Sequence, residues 1–302
     1  AVQERVFGGD HAEVGRTLNA LAVLYGVQGR YDEAAPLFER VLAIDQATLG
    51  ADHAGVALDL RNLADVYVAQ DRLADAEPLF RQALEIDEAR LGTDHRQVAM
   101  DLDSIARVVR GLNRPAEAES LYRRALVIEV GALGEDHPAL AARLETLAEI
   151  NRELERTGEI APLLERSLAI RERALGADHP QVALSLRRLG ALYFGEGRYD
   201  EATTMYGRAL AIRETVLEPD HPRLLESLRD LAAVFRDKGD TVQAIPVYER
   251  ALAMSARILG GDHEDTRELA TKLAALYRSV DRDGDGERLM GEYPTHHSTE
   301  SD

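Results

Sequence analysis

The sequence predicts an all-α protein, a solenoid of antiparallel helix hairpins stacked side by side. Seven Asp-His pairs recur every 42 residues without an insertion, from Asp10-His11 to Asp262-His263. Within each period two apolar stretches at helical spacing follow one another, joined by a short turn. Hairpins that repeat at a fixed interval cannot bury their apolar stripes alone, so we expect them to stack into one continuous core.

The first apolar stretch of each repeat predicts an amphipathic helix. Its residues follow the i, i+4, i+7, i+8, i+11 spacing of one helix face. We expect the Asp of each Asp-His pair to cap this helix through its side-chain oxygen, with Glu13 completing a capping box in the first repeat. The stripe of the first repeat consists of Val14, Leu18, Leu21, Ala22 and Tyr25.

The second apolar stretch predicts the returning helix of the hairpin. Leu42 and Leu49 lie in it, and both positions are Leu in each of the next five repeats. The repeats near residues 109–165 are less regular, since Ile160 replaces a small Ala at the expected helix crossing. Two alternative interpretations are ordinary sequence drift and a local change of superhelix curvature near these residues.

The register of the repeat divides the chain. We expect residues 1–280 to form the solenoid, with a partial leading helix, six full repeats of 42 residues and a seventh first helix. Residues 281–302 form a degenerate half-repeat and a polar tail. Because Ala1 to Gly8 aligns with Ala43 to Gly50, we expect the chain to begin inside a second helix and to belong to a larger protein.

Composition disfavours several kinds of partner. The formal net charge is −18, which disfavours nucleic acids and anionic membrane surfaces. There is no cysteine, so a disulfide framework and a Cys-ligated metal are excluded. No apolar run approaches the length of a membrane span. We therefore expect a cytoplasmic protein that needs no cofactor.

The repeat resembles the tetratricopeptide signature. The linker Leu175 to Ala183 is similar to that of the 42-residue, kinesin-light-chain-like subclass. The resemblance implies a right-handed superhelix that recognises proteins or peptides without catalysis, often as one module of a larger regulatory or signalling chain. The residues at the signature spacing are Leu18, Leu21, Ala22, Tyr25, Gly29, Tyr31, Ala34 and Phe38.

The resemblance also places the ligand on the concave face, which the first helix of each repeat lines. Asn62 stands where family members often hold a ligand backbone. Arginine grips carboxylates bidentately, so we expect an extended acidic segment in repeats five to seven. Alternatively, these arginines only solubilise the chain and pair with neighbouring acids. The candidate residues are Arg61, Asn62, Arg107, Leu184, Arg187, Arg188, Phe194, Arg229 and Lys272.

One further segment suggests a metal site. The spacing D-x-D-x-D-G-x5-E is that of an EF-hand calcium loop, and a calcium-responsive module is therefore the alternative function. Arg288 stands where an aliphatic residue is usual, and no convincing exit helix follows. The segment also aligns with the turn of a degenerate seventh repeat, in which Leu289 and Met290 match Leu37 and Phe38. The matching acids are Asp281, Asp283, Asp285 and Glu292.

The recurring Asp-His pairs are predicted to be structural. A transition metal needs several ligands around one point. Successive pairs stand on the order of 10 Å apart, about the thickness of one helix pair.

Overall fold

The computed structural model describes residue 8 and residues 11–294, and within this range the chain is all-α. The predicted solenoid of helix hairpins is confirmed: fourteen α-helices and one short 3-10 turn follow one another, with no strand in the described range. The helices are α1 (Ala12–Val27), α2 (Tyr31–Leu49), α3 (Ala54–Ala69), α4 (Leu73–Leu91), α5 (Arg96–Gly111), α6 (Pro115–Leu133), α7 (Ala139–Glu153), α8 (Ile160–Leu175), α9 (Pro180–Gly195), α10 (Tyr199–Val216), α11 (Pro222–Lys238), α12 (Thr241–Leu259), α13 (Glu264–Arg278) and α14 (Asp283–Glu292).

The chain forms two compact units, Ala1–Leu163 and Leu164–Asp302. The first unit contains α1 to α7 and the second contains α9 to α14, while α8 spans the division. Inside each unit every helix packs against its neighbours in sequence. The predicted partial leading helix and the polar tail lie outside the described residues.

Small residues allow the two helices of a hairpin to approach closely. Ala22 of α1 and Ala34 of α2 belong to the same core cluster and are fully buried. At the equivalent crossing of the fifth hairpin, a Cβ on Gly190 would lie 2.9 Å from the ring of Tyr206. Any larger residue there would push the two helices apart, because real Cβ contacts are not this short.

The first helix of each hairpin is capped by histidine, not by aspartate as the sequence suggested. In α3, for example, the backbone N–H of Gly55 donates to Nδ1 of His53 at 3.0 Å, and His53 has extended backbone angles. The side chain thus satisfies one of the N–H groups that a helix start leaves unpaired. The same bond recurs at His11, His95, His137, His179, His221 and His263.

The hairpin turn needs a left-handed residue. Gly29, Gly197 and Gly239 occupy this position with φ between 72° and 79°. Elsewhere a residue with a Cβ is forced into the same conformation, at some steric cost. These residues are Asp71, Asn113, Glu155 and Asp281, with φ between 57° and 61°.

The fourth and seventh hairpins depart from the pattern. In the fourth, residues Thr157–Glu159 form a 3-10 turn, and α8 begins at Ile160, three residues later than its counterpart α10 in the next repeat. The irregularity expected near residues 109–165 therefore includes a local change in structure at the start of one second helix. In the seventh, α14 forms a short hairpin with α13.

Candidate functional site

In the first compact unit, Arg61 forms ion pairs with two acids of neighbouring helices. Its side chain is 19% exposed, and Nη1 donates to Oδ2 of Asp87 at 2.6 Å and to Oδ1 of Asp101 at 3.2 Å. The guanidinium thus bridges two buried acids of α4 and α5. The role of Arg61 as a ligand contact stays a prediction, and these pairs disfavour it, because removing the cation would leave two buried acids without a partner.

The other candidates of the first unit are more accessible. Asn62 is partly buried on α3. Arg107 on α5 is 58% exposed and lies 4.0 Å from Asp65 of α3, a distance typical of a loose surface pair. Arg107 therefore remains accessible to a partner.

In the second compact unit the predicted cations alternate with acids. Arg187 of α9 pairs with Glu226 at 2.7 Å and with Asp230 at 2.6 Å, both on α11. Arg229 of α11 in turn pairs with Asp265 of α13 at 2.8 Å. The expected cluster of available arginines is therefore a ladder of ion pairs that links successive first helices.

The ladder continues to Lys272, which pairs with Glu268 at 2.5 Å. The pKa values of its acids differ with their surroundings. Burial raises the pKa of Asp230 although Arg187 opposes the change. The hydrogen bond from Arg229 lowers the pKa of Asp265, which lies closer to solvent. Asp265 therefore carries its charge throughout the neutral range.

Leu184 and Phe194 do not meet in one place. Leu184 is 41% exposed beside Arg187, at the rim of a cavity described below. Phe194 is partly buried near the other end of α9, where its ring stacks at a tilt on Tyr199 with centroids 6.1 Å apart. Arg188 is partly buried on the same helix.

A cavity of about 330 Å³, called here the first cavity, opens between α9, α10 and α11. Arg213 is buried at its base, where Nη1 donates to Oγ of Ser227 at 2.6 Å and to the carbonyl of Arg223 at 2.9 Å. Val216 at the rim is 48% exposed. The lining residues are Pro180, Gln181, Leu184, Arg187, Arg213, Val216, Leu217, Arg223 and Glu226.

A second cavity of about 430 Å³ lies one repeat further on, between α11, α12 and α13. The ion pair of Arg187 and Glu226 borders both cavities. Its lining residues are Arg187, Pro222, Leu225, Glu226, Arg229, Asp230, Ile258, Leu259 and Asp265.

Sequence reasoning missed half of both cavities. It considered one face of each first helix, whereas Arg213, Val216 and Leu217 come from the end of a second helix. Arg223 comes from the first turn of the next first helix, α11. The signal was the constant 42-residue offset, which gives residues 216 and 217 the equivalents 258 and 259.

The segment with calcium-loop spacing folds differently from an EF-hand loop. Asp283, Asp285 and Glu292 lie on α14, where residues two apart point to different sides of the helix. Asp285 is already paired with Arg282 at 2.6 Å, and with Arg288. In the described part of the chain, no three His, Asp or Glu side chains are grouped to hold a metal. The segment therefore lacks the loop geometry in which alternate positions converge on one calcium ion.

These repeats define a class of helical scaffold, and the comparisons identify its family. The tetratricopeptide repeat profile matches residues 1–47, 16–89, 60–128, 140–215, 182–256 and 230–285. The chain belongs to the tetratricopeptide repeat family, and its repeats are of the kinesin-light-chain-like kind. Proteins of this family are generally scaffolds for protein–protein interaction. No curated protein matches the sequence.

Solved structures show the same architecture. A putative kinesin light chain of Podosopora anserina with nearly identical repeats is 25% identical, with a TM-score of 0.58, over 68% of this chain and 98% of that chain. BtubC of P. vanneervenii is 22% identical, with a TM-score of 0.57, over 82% of this chain and 92% of that chain. A signal transduction ATPase of Pyrococcus horikoshii with a tetratricopeptide repeat sensor is 13% identical, with a TM-score of 0.65, over 93% of this chain and 41% of that chain.

Among the described helices, none combines the length and the apolar character that crossing a bilayer requires.

Proposed function

We propose that the chain is a non-catalytic scaffold that holds an extended protein segment against the first helices of its second compact unit, α9, α11 and α13. The observation that carries this proposal is the pair of cavities that repeat at one-repeat spacing on this side. Each is large enough for an amino-acid side chain and has an apolar wall beside charged groups, as binding pockets usually do.

The first cavity favours a segment that carries Asp or Glu. Leu184 and Val216 present apolar surface at its rim, while Arg213 and Arg223 add positive charge. The rest of the acidic chain would repel such a segment, so attraction is confined to this place. The acidic preference therefore rests on one cavity and not on a uniformly basic groove.

We also propose that the scaffold is one module of a larger regulatory or signalling protein, as its resemblance to the family implies. The full-length reading frame tests this part of the proposal, since it either contains or lacks a neighbouring domain.

A peptide-binding measurement tests the proposed site. Libraries of extended peptides with an aliphatic residue beside Glu, or beside Lys, are titrated against the protein by fluorescence anisotropy. We expect the acidic library to bind more tightly and Arg223→Glu to weaken it about 5- to 10-fold, as for loss of a partly exposed charge contact. The matched control is Arg166→Glu on α8, since Arg166 is also an exposed arginine. Equal losses in both variants, or tighter binding of the basic library, would refute the site.

A further inference from the structure

The two cavities of the second unit are copies of one another, displaced by one repeat. Each is built from the first turns of a first helix, the end of the second helix behind it and the start of the next first helix. Residues separated by 42 positions occupy equivalent positions in the linings of the two cavities. The matched pairs are Pro180 and Pro222, Leu184 and Glu226, Arg187 and Arg229, Val216 and Ile258, Leu217 and Leu259, and Arg223 and Asp265.

The copies differ in charge. Apart from the Arg187–Glu226 pair that both share, the first cavity has two arginines and no acid. The buried Arg213 is 6% exposed, and its Nη1 donates to Ser227 and to Glu226, the latter at 3.1 Å, so its charge is already partly neutralised. Arg223 lies at the surface, and its side chain forms no ion pair within the described residues. A carboxylate entering this cavity would therefore find a positive charge that is not yet neutralised.

The second cavity has the opposite sign. Apart from the shared pair, it contains Asp230, Asp265 and a single arginine, Arg229. Asp265 is 40% exposed and pairs with Arg229 at 2.8 Å. Asp230 and Glu226 share Arg187, so the three acids of this cavity outnumber its two arginines. The hydrogen bond with Arg229 lowers the pKa of Asp265, which keeps this carboxylate ionised. A cationic side chain would be favoured here, and a second carboxylate would be repelled.

We propose that these cavities are adjacent side-chain subsites of opposite charge that select a segment with an acidic residue and a basic residue in a fixed order. This inference rests on the proposed function and adds a register to it, which is the spacing and order of the two charged residues in the bound segment. Equivalent first helices stand roughly 10 Å apart, about one helix diameter. An extended segment in the polyproline II conformation advances about 3.1 Å per residue with three residues per turn, so two charged residues three positions apart lie on the same face at about this spacing.

Four peptides of equal length and aliphatic content test the register by fluorescence anisotropy. They carry Glu-x-x-Lys, Lys-x-x-Glu, Glu-x-x-Glu and Lys-x-x-Lys. We expect one of the two mixed peptides to bind about 5- to 10-fold more tightly than the other three, because only one order matches both subsites. The choice between the two orders reports the direction in which the segment runs.

Charge reversal of the protein gives the sharper result. Arg223→Glu combined with Asp265→Arg removes the excess positive charge of the first cavity and gives the second cavity an excess of positive charge, so the preference should change to the other mixed peptide. The matched control, Arg166→Glu with Glu287→Arg, has the same net charge and alters exposed residues outside both cavities. It should keep the original preference. If the reversed protein does not fold, Arg223→Gln with Asp265→Asn should abolish the preference without reversing it.

The outcomes separate the two proposals. If no peptide binds, the proposed function fails together with this inference. If all four bind alike, or if the acidic peptide binds best and the reversed protein shows no exchange of preference, the scaffold function stands and the opposite-charge register is wrong.

Discussion

At the scale of single residues, the histidines explain the most regular feature of the sequence. Each accepts a backbone N–H through Nδ1, and an imidazole nitrogen that accepts cannot carry a proton. An Asp-His pair in every repeat was correctly predicted to be structural, but the capping role was assigned to the wrong partner. Aspartate is among the preferred N-cap residues, so N-cap propensity placed the cap at the Asp, one residue before the His that actually caps the helix.

Buried acids between repeats were not predictable from the sequence. Asp59 of α3 is 5% exposed and its Oδ2 has no hydrogen-bond partner among the described atoms. In the next repeat the equivalent Asp101 receives a hydrogen bond from Arg61. The preceding repeat has Asn19 at the position of Arg61, so no equivalent cation is available to Asp59.

Stability should depend on pH through Asp59. Burial, reinforced by the neighbouring Asp45 carboxylate, raises the pKa of Asp59 to about 7. The folded protein then holds a proton that the unfolded chain has lost, so the free energy of unfolding falls as the pH rises from about 4 towards this value. We expect Asp59→Asn to reduce the fall and to stabilise the protein at pH 8 by about 1–3 kcal/mol.

Urea denaturation followed by circular dichroism between about pH 4 and pH 8 measures this effect. Asp52→Asn, which changes an exposed acid at the preceding turn, is the control and should retain the pH dependence of the wild type. An unchanged pH profile in Asp59→Asn would show that Asp59 is not the titrating group.

At the scale of helices, a recurring set of three side chains, called here the Tyr-Glu-Arg bracket, explains why the middle repeats look degenerate. The hydroxyl of Tyr67 on α3 donates to Glu39 of the preceding second helix at 2.8 Å, and Arg72 lies over the Tyr67 ring at 4.0 Å from its centroid. Glu39 is 28 positions before Tyr67. The same three-part bracket recurs as Tyr193 with Glu165 and Arg198, and as Tyr277 with Glu249 and Arg282.

The third and fourth repeats lack both the tyrosine and the glutamate of this set. Where Val109 and Asn151 replace the tyrosine, the position 28 residues earlier is Arg81 or Arg123 instead of Glu. The change is therefore paired, which ordinary drift at one position does not explain. The helices themselves were predictable because their apolar period is strong, whereas a side-chain partner in another helix leaves no local signal.

The left-handed turn residues give a test at the same scale. Glu155 has φ of 57°, where a Cβ is strained, whereas the equivalent turn in the next repeat has Gly197 at 73°. We expect Glu155→Gly to raise the free energy of unfolding by about 1 kcal/mol, since glycine adopts this conformation without the steric cost. Thermal unfolding by calorimetry measures the change.

Two variants serve as comparisons. Asn113→Gly should gain less, because asparagine tolerates left-handed angles better than glutamate does. Gly197→Glu should lose stability. A destabilised Glu155→Gly would mean that other contacts of Glu155 outweigh the backbone strain.

At the scale of the whole molecule, sequence predicted the architecture far better than the binding surface. A fixed period determines the number, order and packing of hairpins, so those followed directly from residue spacing. The charge of a surface depends on which acids reach which arginines across neighbouring helices. Arg187, Arg229 and Lys272 were correctly placed on successive first helices, but their pairing with acids became visible only in three dimensions.

The central claim is that a partner lies against the first helices of the second unit. Site-specific photo-crosslinking tests it most directly, with p-benzoylphenylalanine placed at Leu184 at the rim of the first cavity or at Val242 on α12, which is 79% exposed. A bound mixed-charge peptide should crosslink efficiently at position 184 and only at background level at position 242. Equal crosslinking at both positions, or crosslinking at position 242 alone, would contradict the account.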